Sequence, residues 1–239
     1  MPTKIKEIKP KQGAYFGDPT KKAQALRDMN AHKRADAFTQ GVYGEQVTDP
    51  KNKKKLKFRG CAVGCAAFSA EVRKIQVKKQ RKLSPLETES VVNNVSFNPH
   101  QLVKSHYNIP EHLARAEDHI FENLPVKEAK EWPLQFLKAI PTGANLTQVL
   151  SKLNSWLLGQ EWDSYYGKLS HRSQDPEYKT SRQYLNSALI AEAFDLPDEV
   201  NGKPLTKAIE RRETSRRARL IRNKLLELLR ECKPNGIKS

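Results

Sequence analysis

Apolar residues recur along this chain at helical spacing, with no alternation long enough to establish a sheet. Asp18 is a good N-cap and Pro19 a good first-turn residue, so a helix starts there. Ala23, Leu26, Met29, Ala31, Ala35 and Phe38 give it an apolar side to about Gln40, and Gly41 ends it. A second helix begins at Gly60 or Cys61, where Cys61, Cys65, Phe68, Val72 and Ile75 follow a helical rhythm. Between the two, residues 42–59 hold a lysine-rich centre with a proline and predict an exposed loop or short hairpin. Residues 83–100 read as a long connection. In "IPEHLARAEDHIFENLP", Pro110 opens a helix and Pro125 lies just past its end, with Leu113, Ala116, Ile120 and Leu124 on one face.

Two more helices follow. Trp132, Phe136, Leu137 and Ile140 supply one apolar side, and Leu146, Val149, Leu150, Leu153, Trp156, Leu157 and Leu158 the other, with Asn145 as a cap. Residues 159–178 are polar and turn-rich, and 179–195 read as a helix through Tyr184, Leu185, Leu189, Ala193 and Phe194. The last helix runs from near Pro204 to near Cys232 and changes character along its length. "KAIERRETSRRARLIRNK" is strongly basic, while "LLELLREC" is apolar on one side and should dock or self-associate. The fold class is therefore mostly α: a single irregular helical domain with a basic loop and tail and at most one short β-hairpin. Residues 1–12 form a basic arm, 13–202 the helical core, and 203–239 a basic C-terminal helix and tail.

Charge sharpens this picture. Residues 1–82 carry 21 Lys and Arg against 7 Asp and Glu, residues 83–202 carry 10 against 16, and residues 203–239 carry 12 against 4. A mildly acidic middle is flanked by two basic ends, a distribution that favours a polyanion partner. Phosphate contacts would come from Lys53, Lys54, Lys55, Lys57 and Arg59 in the loop, and from Arg211, Arg212, Arg216, Arg217, Arg219 and Arg222 on the last helix. Aromatic residues do not interleave with these runs, so stacking on single-stranded bases is not supported. No apolar run is long enough for a transmembrane helix, and the basic N-terminus is not followed by the apolar stretch of a signal peptide. Three cysteines are too few for a disulfide framework, so a reducing cytoplasm is the expected setting.

Candidate chemistry centres on "GCAVGC", residues 60–65. Three readings stand side by side. Structural zinc needs four ligands, commonly two close pairs, and only one cysteine pair is present, so no metal site and no cofactor are assigned. A thiol at a helix N-terminus with Lys57 and Arg59 nearby could be an activated nucleophile, Cys61 or Cys65, served by His32 or His119 as base. Alternatively both cysteines are small buried hydrophobes, and Gly60 and Gly64 let a neighbouring backbone approach closely. Glu117, Asp118 and Glu122 read as a solvated face.

Taken together, "GAYFGDP", "HKRADAFTQGVYG", "GCAVGC", "IPEHLARAEDHIFENLP", "WPLQFLKAIPTGANLTQV" and "RRARLIRNKLLELL" resemble an uncharacterised family of phage and bacterial proteins. The resemblance covers about residues 13–45, 59–68, 106–158 and the last helix, and implies extra basic sequence at about 46–58 and 70–100. It implies no activity and supplies no site residues. The leading expectation is a non-enzymatic accessory protein that binds nucleic acid or a nucleoprotein complex. The alternatives are a cysteine-dependent enzyme or modifier using Cys61 or Cys65, and a protein–protein interaction factor acting through the Leu-rich end of the last helix.

Overall fold

The computed structural model describes residues 13–49, 52–159, 188–194, 196, 199–200, 203–204 and 206–234. The expected basic arm, the polar segment from 160 onward, and Tyr184 and Leu185 lie outside the described residues.

Asp18 caps helix α1 (Pro19–Arg34), its carboxylate accepting the Thr20 amide proton at 2.9 Å. The helix stops at Arg34, ahead of the expected Gln40. Asp36 turns into the left-handed region at φ 51°, and the chain beyond it pairs with Gly60 instead of continuing the helix. Gly60 N–H donates to the Ala37 carbonyl at 2.9 Å, and Thr39 N–H donates to the Gly60 carbonyl at 3.0 Å. This pairing carries Phe38 into the core and leaves Gln40 free to cap another helix.

The expected hairpin forms from β1 (Glu45–Asp49) and β2 (Asn52–Arg59), antiparallel, with Glu45 opposite Arg59 and a register irregularity near its turn. From it the chain enters α2 (Ala62–Lys79), capped by Cys61. The first half of α2 is small and apolar on every side, which suits a central helix: Ala62, Val63, Cys65, Ala66, Ala67 and Ala70 are all buried. Phe68 on its flank stacks against Phe58 of β2, with ring centroids 3.9 Å apart.

Two helices replace the long connection expected at 83–100. α3 (Pro85–Phe97) opens with a full capping box, in which Ser84 accepts the Glu87 amide proton and the Glu87 carboxylate accepts that of Ser84. α4 (Pro99–Tyr107) follows after a single residue and packs along α2. α5 (Glu111–Asn123) has the expected boundaries, and Leu113, Ala116, Ile120 and Phe121 are buried on it. Gln40 caps its end, donating from Nε2 to the carbonyls of Phe121 at 2.7 Å and Leu124 at 2.9 Å.

A single turn, α6 (Val126–Ala129), leads into α7 (Trp132–Ala139) and then α8 (Val149–Leu158). Trp132 is fully buried and satisfies its indole N–H on the Glu117 carbonyl at 3.0 Å. Asn145 does not cap α8. Its carboxamide oxygen accepts from Thr147 N–H at 3.1 Å in a local turn, and Gln148 occupies the cap position.

A short helix α9 (Ala188–Glu192) and a two-residue ladder, β3 (Glu199–Val200) with β4 (Lys203–Pro204), precede α10 (Lys207–Arg230). The apolar side of α10 docks against α5, α7 and α8. Ala218, Ile221, Leu225, Leu226, Leu228 and Leu229 join the same core as the rest of the chain. The Leu-rich end is thus covered intramolecularly. Among the described residues no helix is long and apolar enough to cross a membrane.

Candidate functional site

The "GCAVGC" segment is shaped by a chain crossing. Residues 42–44 pass directly over the start of α2, and Cys61 N–H donates to the Val42 carbonyl at 2.7 Å. A Cβ on Gly60 would lie 2.3 Å from the Tyr43 carbonyl oxygen, and one on Gly64 only 1.6 Å from it. Both positions require glycine for close approach.

Both thiols are buried. The Cys65 thiol donates to the Gly60 carbonyl at 3.5 Å, while the Cys61 sulfur accepts from Gly64 N–H at 3.4 Å. Burial pushes both thiols well up from the ordinary range, and the Asp118 carboxylate pushes Cys61 further. That direction is opposite to an activated thiolate.

His32 sits among Phe38, Phe58 and Phe68, with Nε2 2.7 Å from the Ser69 hydroxyl. It also engages the backbone carbonyl, not the thiol, of Cys65. Burial lowers it to about 4, partly offset by Asp28 and by that carbonyl. A histidine depressed below its unfolded value contributes stability that is complete above about pH 6.5 and lost as pH falls toward 4. The expected loss is about 3 kcal/mol across that window, at about 1.4 kcal/mol per unit. Denaturant midpoints of the parent and His32→Gln at pH 7 and pH 4.5 check this. The variant should lose less stability on acidification, and parallel losses would contradict it.

The acidic residues of α5 are not a solvated face. Glu117 is 2% exposed and Asp118 6% exposed. Glu117 projects into a small apolar cavity of about 20 Å³ among Met29, Val63, Phe136 and Leu137, and its Oε1 has no hydrogen-bond partner. Burial pushes its carboxyl well up, with Asp118 adding to the effect. Asp118 turns the other way, toward α2 and α4. Its Oδ2 lies 3.2 Å from His100 Nε2, and His100 in turn meets the Tyr43 ring edge-on at 5.4 Å between centroids. Asp118 Oδ1 is enclosed with no partner at ordinary hydrogen-bond geometry, and the Tyr43 and Cys61 side chains face this carboxylate.

One turn along, Glu122 Oε2 accepts from Gly41 N–H at 2.7 Å, and burial pushes its carboxyl up to about 7. Ligand atoms of Cys61, Asp118 and Glu122 all lie within 4.8 Å of one another. Glu122 also lines a cleft of about 770 Å³ whose opposite wall carries Lys207 and Arg211 at the start of α10.

Many basic side chains singled out by sequence are engaged within the fold. Lys57 pairs with Asp49 at 3.0 Å and Arg59 with Glu45 at 2.7 Å, across the hairpin. The side chains of Lys53, Lys54 and Lys55 lie outside the described residues. On α10, Arg217 is 1% exposed and donates to Glu213 and, at 2.7 Å, to the Ala193 carbonyl, so it has no surface to offer a phosphate. Arg216 also holds Glu213, and Arg219 and Arg222 share Glu128 of α6 at 2.7 Å each. Arg211 and Arg212 remain exposed, with no ion pair among the described residues.

Sequence reasoning missed a second basic surface. α1 and α2 form a groove of about 660 Å³ lined by Lys21, Gln24, Arg27, Arg73, Lys74 and, from α4, His106. Arg73 pairs with Asp28, and Glu71 accepts from both Lys74 and His106. Lys21 and Arg27 form no ion pair among the described residues; Lys21 lies over the Phe16 ring at 4.3 Å and Arg27 bonds Gln24. The signal was available: Lys21, Gln24 and Arg27 recur at threes along the polar side of α1. No family model matches the chain, and neither a curated protein nor a solved structure matches it.

Proposed function

We propose that the protein is a non-enzymatic phage or bacterial accessory factor of the cytoplasm that binds nucleic acid, alone or within a nucleoprotein complex. The observation that carries this reading is the α1–α2 groove. It is concave, it gathers four cations from two helices, and two of them, Lys21 and Arg27, are not neutralised by an internal carboxylate among the described residues. A phosphate backbone is the common biological ligand that presents many anions to such a surface. Arginine forks match phosphate oxygens, which makes Arg27 and Arg73 the positioning contacts and Lys21 and Lys74 point charges beside them. Arg211 and Arg212 supply a second exposed basic site on α10.

The overall charge of +16 supports the same reading, since the pairs described above leave a large excess at the surface. Contacts of this kind set affinity and salt dependence and carry little sequence information. The cysteine-enzyme reading is less well supported, because both thiols are buried and pushed away from ionisation. A partner docking on the Leu-rich end of α10 is likewise disfavoured, because those leucines are in the core.

The direct experiment is the nucleic-acid content of protein purified from cells at low salt. Co-purifying polymer that high salt removes is expected, and nuclease sensitivity then distinguishes RNA from DNA. Protein free of nucleic acid at low salt, with no binding to either polymer in a direct titration, would sink the reading.

A further inference from the structure

We propose that Cys61, Asp118 and Glu122 form a binding site for one divalent transition-metal ion of the zinc class. Among the described residues these three bring one thiol and two carboxylates within 4.8 Å of one another. Zinc bonds sulfur at about 2.3 Å and oxygen at about 2.0–2.2 Å, so tetrahedral ligands stand about 3.5 Å apart. Side-chain shifts of about 1 Å or less would close the cluster to that spacing.

An independent observation points to a ligand. Asp118 is 6% exposed, yet its Oδ1 has no partner at ordinary hydrogen-bond geometry, only the weaker approach of the Tyr43 and Cys61 side chains to this carboxylate. Buried carboxylate oxygens are nearly always satisfied, and a metal ion is one way to satisfy them. The surroundings fit the same role. His100 holds Oδ2 of Asp118 at 3.2 Å, the outer-shell contact that orients ligating carboxylates. Gly64 N–H points at the Cys61 sulfur, a donor suited to a bound thiolate. Three acidic groups crowded in a water-poor place repel one another, and a dication reverses that repulsion. A thiolate ligand favours zinc-like ions over magnesium or calcium.

Binding would displace the Cys61 thiol proton to solvent. Three protein ligands leave at least one coordination position for solvent. Glu122 is also a wall of the cleft that carries Lys207 and Arg211, which gives the ion a path in. The site goes beyond the nucleic-acid reading and does not depend on it.

The test is titration of chelator-treated, nucleic-acid-free protein with Zn²⁺ and with Co²⁺ alone. One equivalent should bind, Co²⁺ should give a near-ultraviolet thiolate-to-metal charge-transfer band, and Zn²⁺ should raise the melting temperature through linkage. Cys61→Ser should abolish the band, and Cys65→Ser should leave it intact. Glu122→Gln keeps an oxygen for Gly41 N–H and lies partly at the surface, so it folds; it should weaken Zn²⁺ at least about tenfold. His100→Gln should keep the band with affinity about 10–100-fold lower. Absence of the band, a band that survives Cys61→Ser, or Zn²⁺ affinity unchanged in Glu122→Gln would overturn the assignment.

Discussion

Gly64→Ala should destabilise the protein by about 3 kcal/mol or more, lowering the melting temperature by about 6–12 °C for a chain of this size. Two effects oppose each other at this position. Alanine is the better helix former by about 1 kcal/mol, which alone would stabilise the first turn of α2. The new methyl group, however, would sit 1.6 Å from the Tyr43 carbonyl oxygen and 2.7 Å from its carbon. Those are backbone atoms, so no rotamer change can yield. Residues 42–44 must lift away, taking with them the 2.7 Å bond from Cys61 N–H to the Val42 carbonyl and the Tyr43 ring that packs on His100. The steric term exceeds the propensity term, and the loss of a buried hydrogen bond adds to it. Gly159→Ala is the matched control. Its methyl group would meet the Ser155 carbonyl at 3.5 Å, an ordinary contact, and the change should be within about 0.5 kcal/mol. Chemical denaturation of both variants against the parent decides it. A Gly64→Ala protein as stable as the parent would mean the crossing chain does not seat there.

That crossing also shows which parts of the fold were readable from sequence. The glycines and cysteines of "GCAVGC" pointed to a tight helix start, but the irregular chain laid over them, residues 42–44, has no local signature. α5 and the apolar end of α10 were legible because proline boundaries and strong apolar stripes mark them. α3 was not, although Ser84 and Glu87 spell its capping box, because its apolar stripe is only Val91, Val92 and Val95. α1 ended early because pairing with Gly60 outweighed local propensity.

The buried charges were misread for a different reason. Leu113, Glu117 and Phe121 are spaced by four, so Glu117 lies on the apolar stripe of α5, and Asp118 lies between Ala114 and Glu122 in the same way. Arg217 likewise falls in line with Ile221 and Leu225. A charged residue on an apolar stripe is a signal of burial, and its residue type hid it. What remained unreadable is the partner. Cys61 and His100 reach Asp118 only through the packing of α2 and α4 on α5.

Nucleic-acid affinity should fall about 100-fold between 50 and 200 mM salt if the groove cations Lys21, Arg27, Arg73 and Lys74 meet four phosphates, each adding about 0.9 to the logarithmic salt slope on a duplex. Lys21→Glu with Arg27→Glu should weaken binding on every sequence alike and reduce the slope by about 2. Both side chains lie outside the core and form no ion pair among the described residues, so this double variant should fold as the parent does. Arg211→Glu with Arg212→Glu makes the same change of charge on α10, where both arginines are exposed. Net charge alone would make the two double variants equivalent, since each removes the same charge from the molecule. A bound polymer does not average over the surface; it senses mainly the cations within a Debye length of its phosphates, about 14 Å at 50 mM salt and about 7 Å at 200 mM. A slope that drops for the groove pair and holds for the α10 pair therefore identifies the groove as the interface. The reverse result moves the interface to α10. Unchanged slopes in both variants would mean that neither basic surface meets phosphate and that its charge serves only solvation.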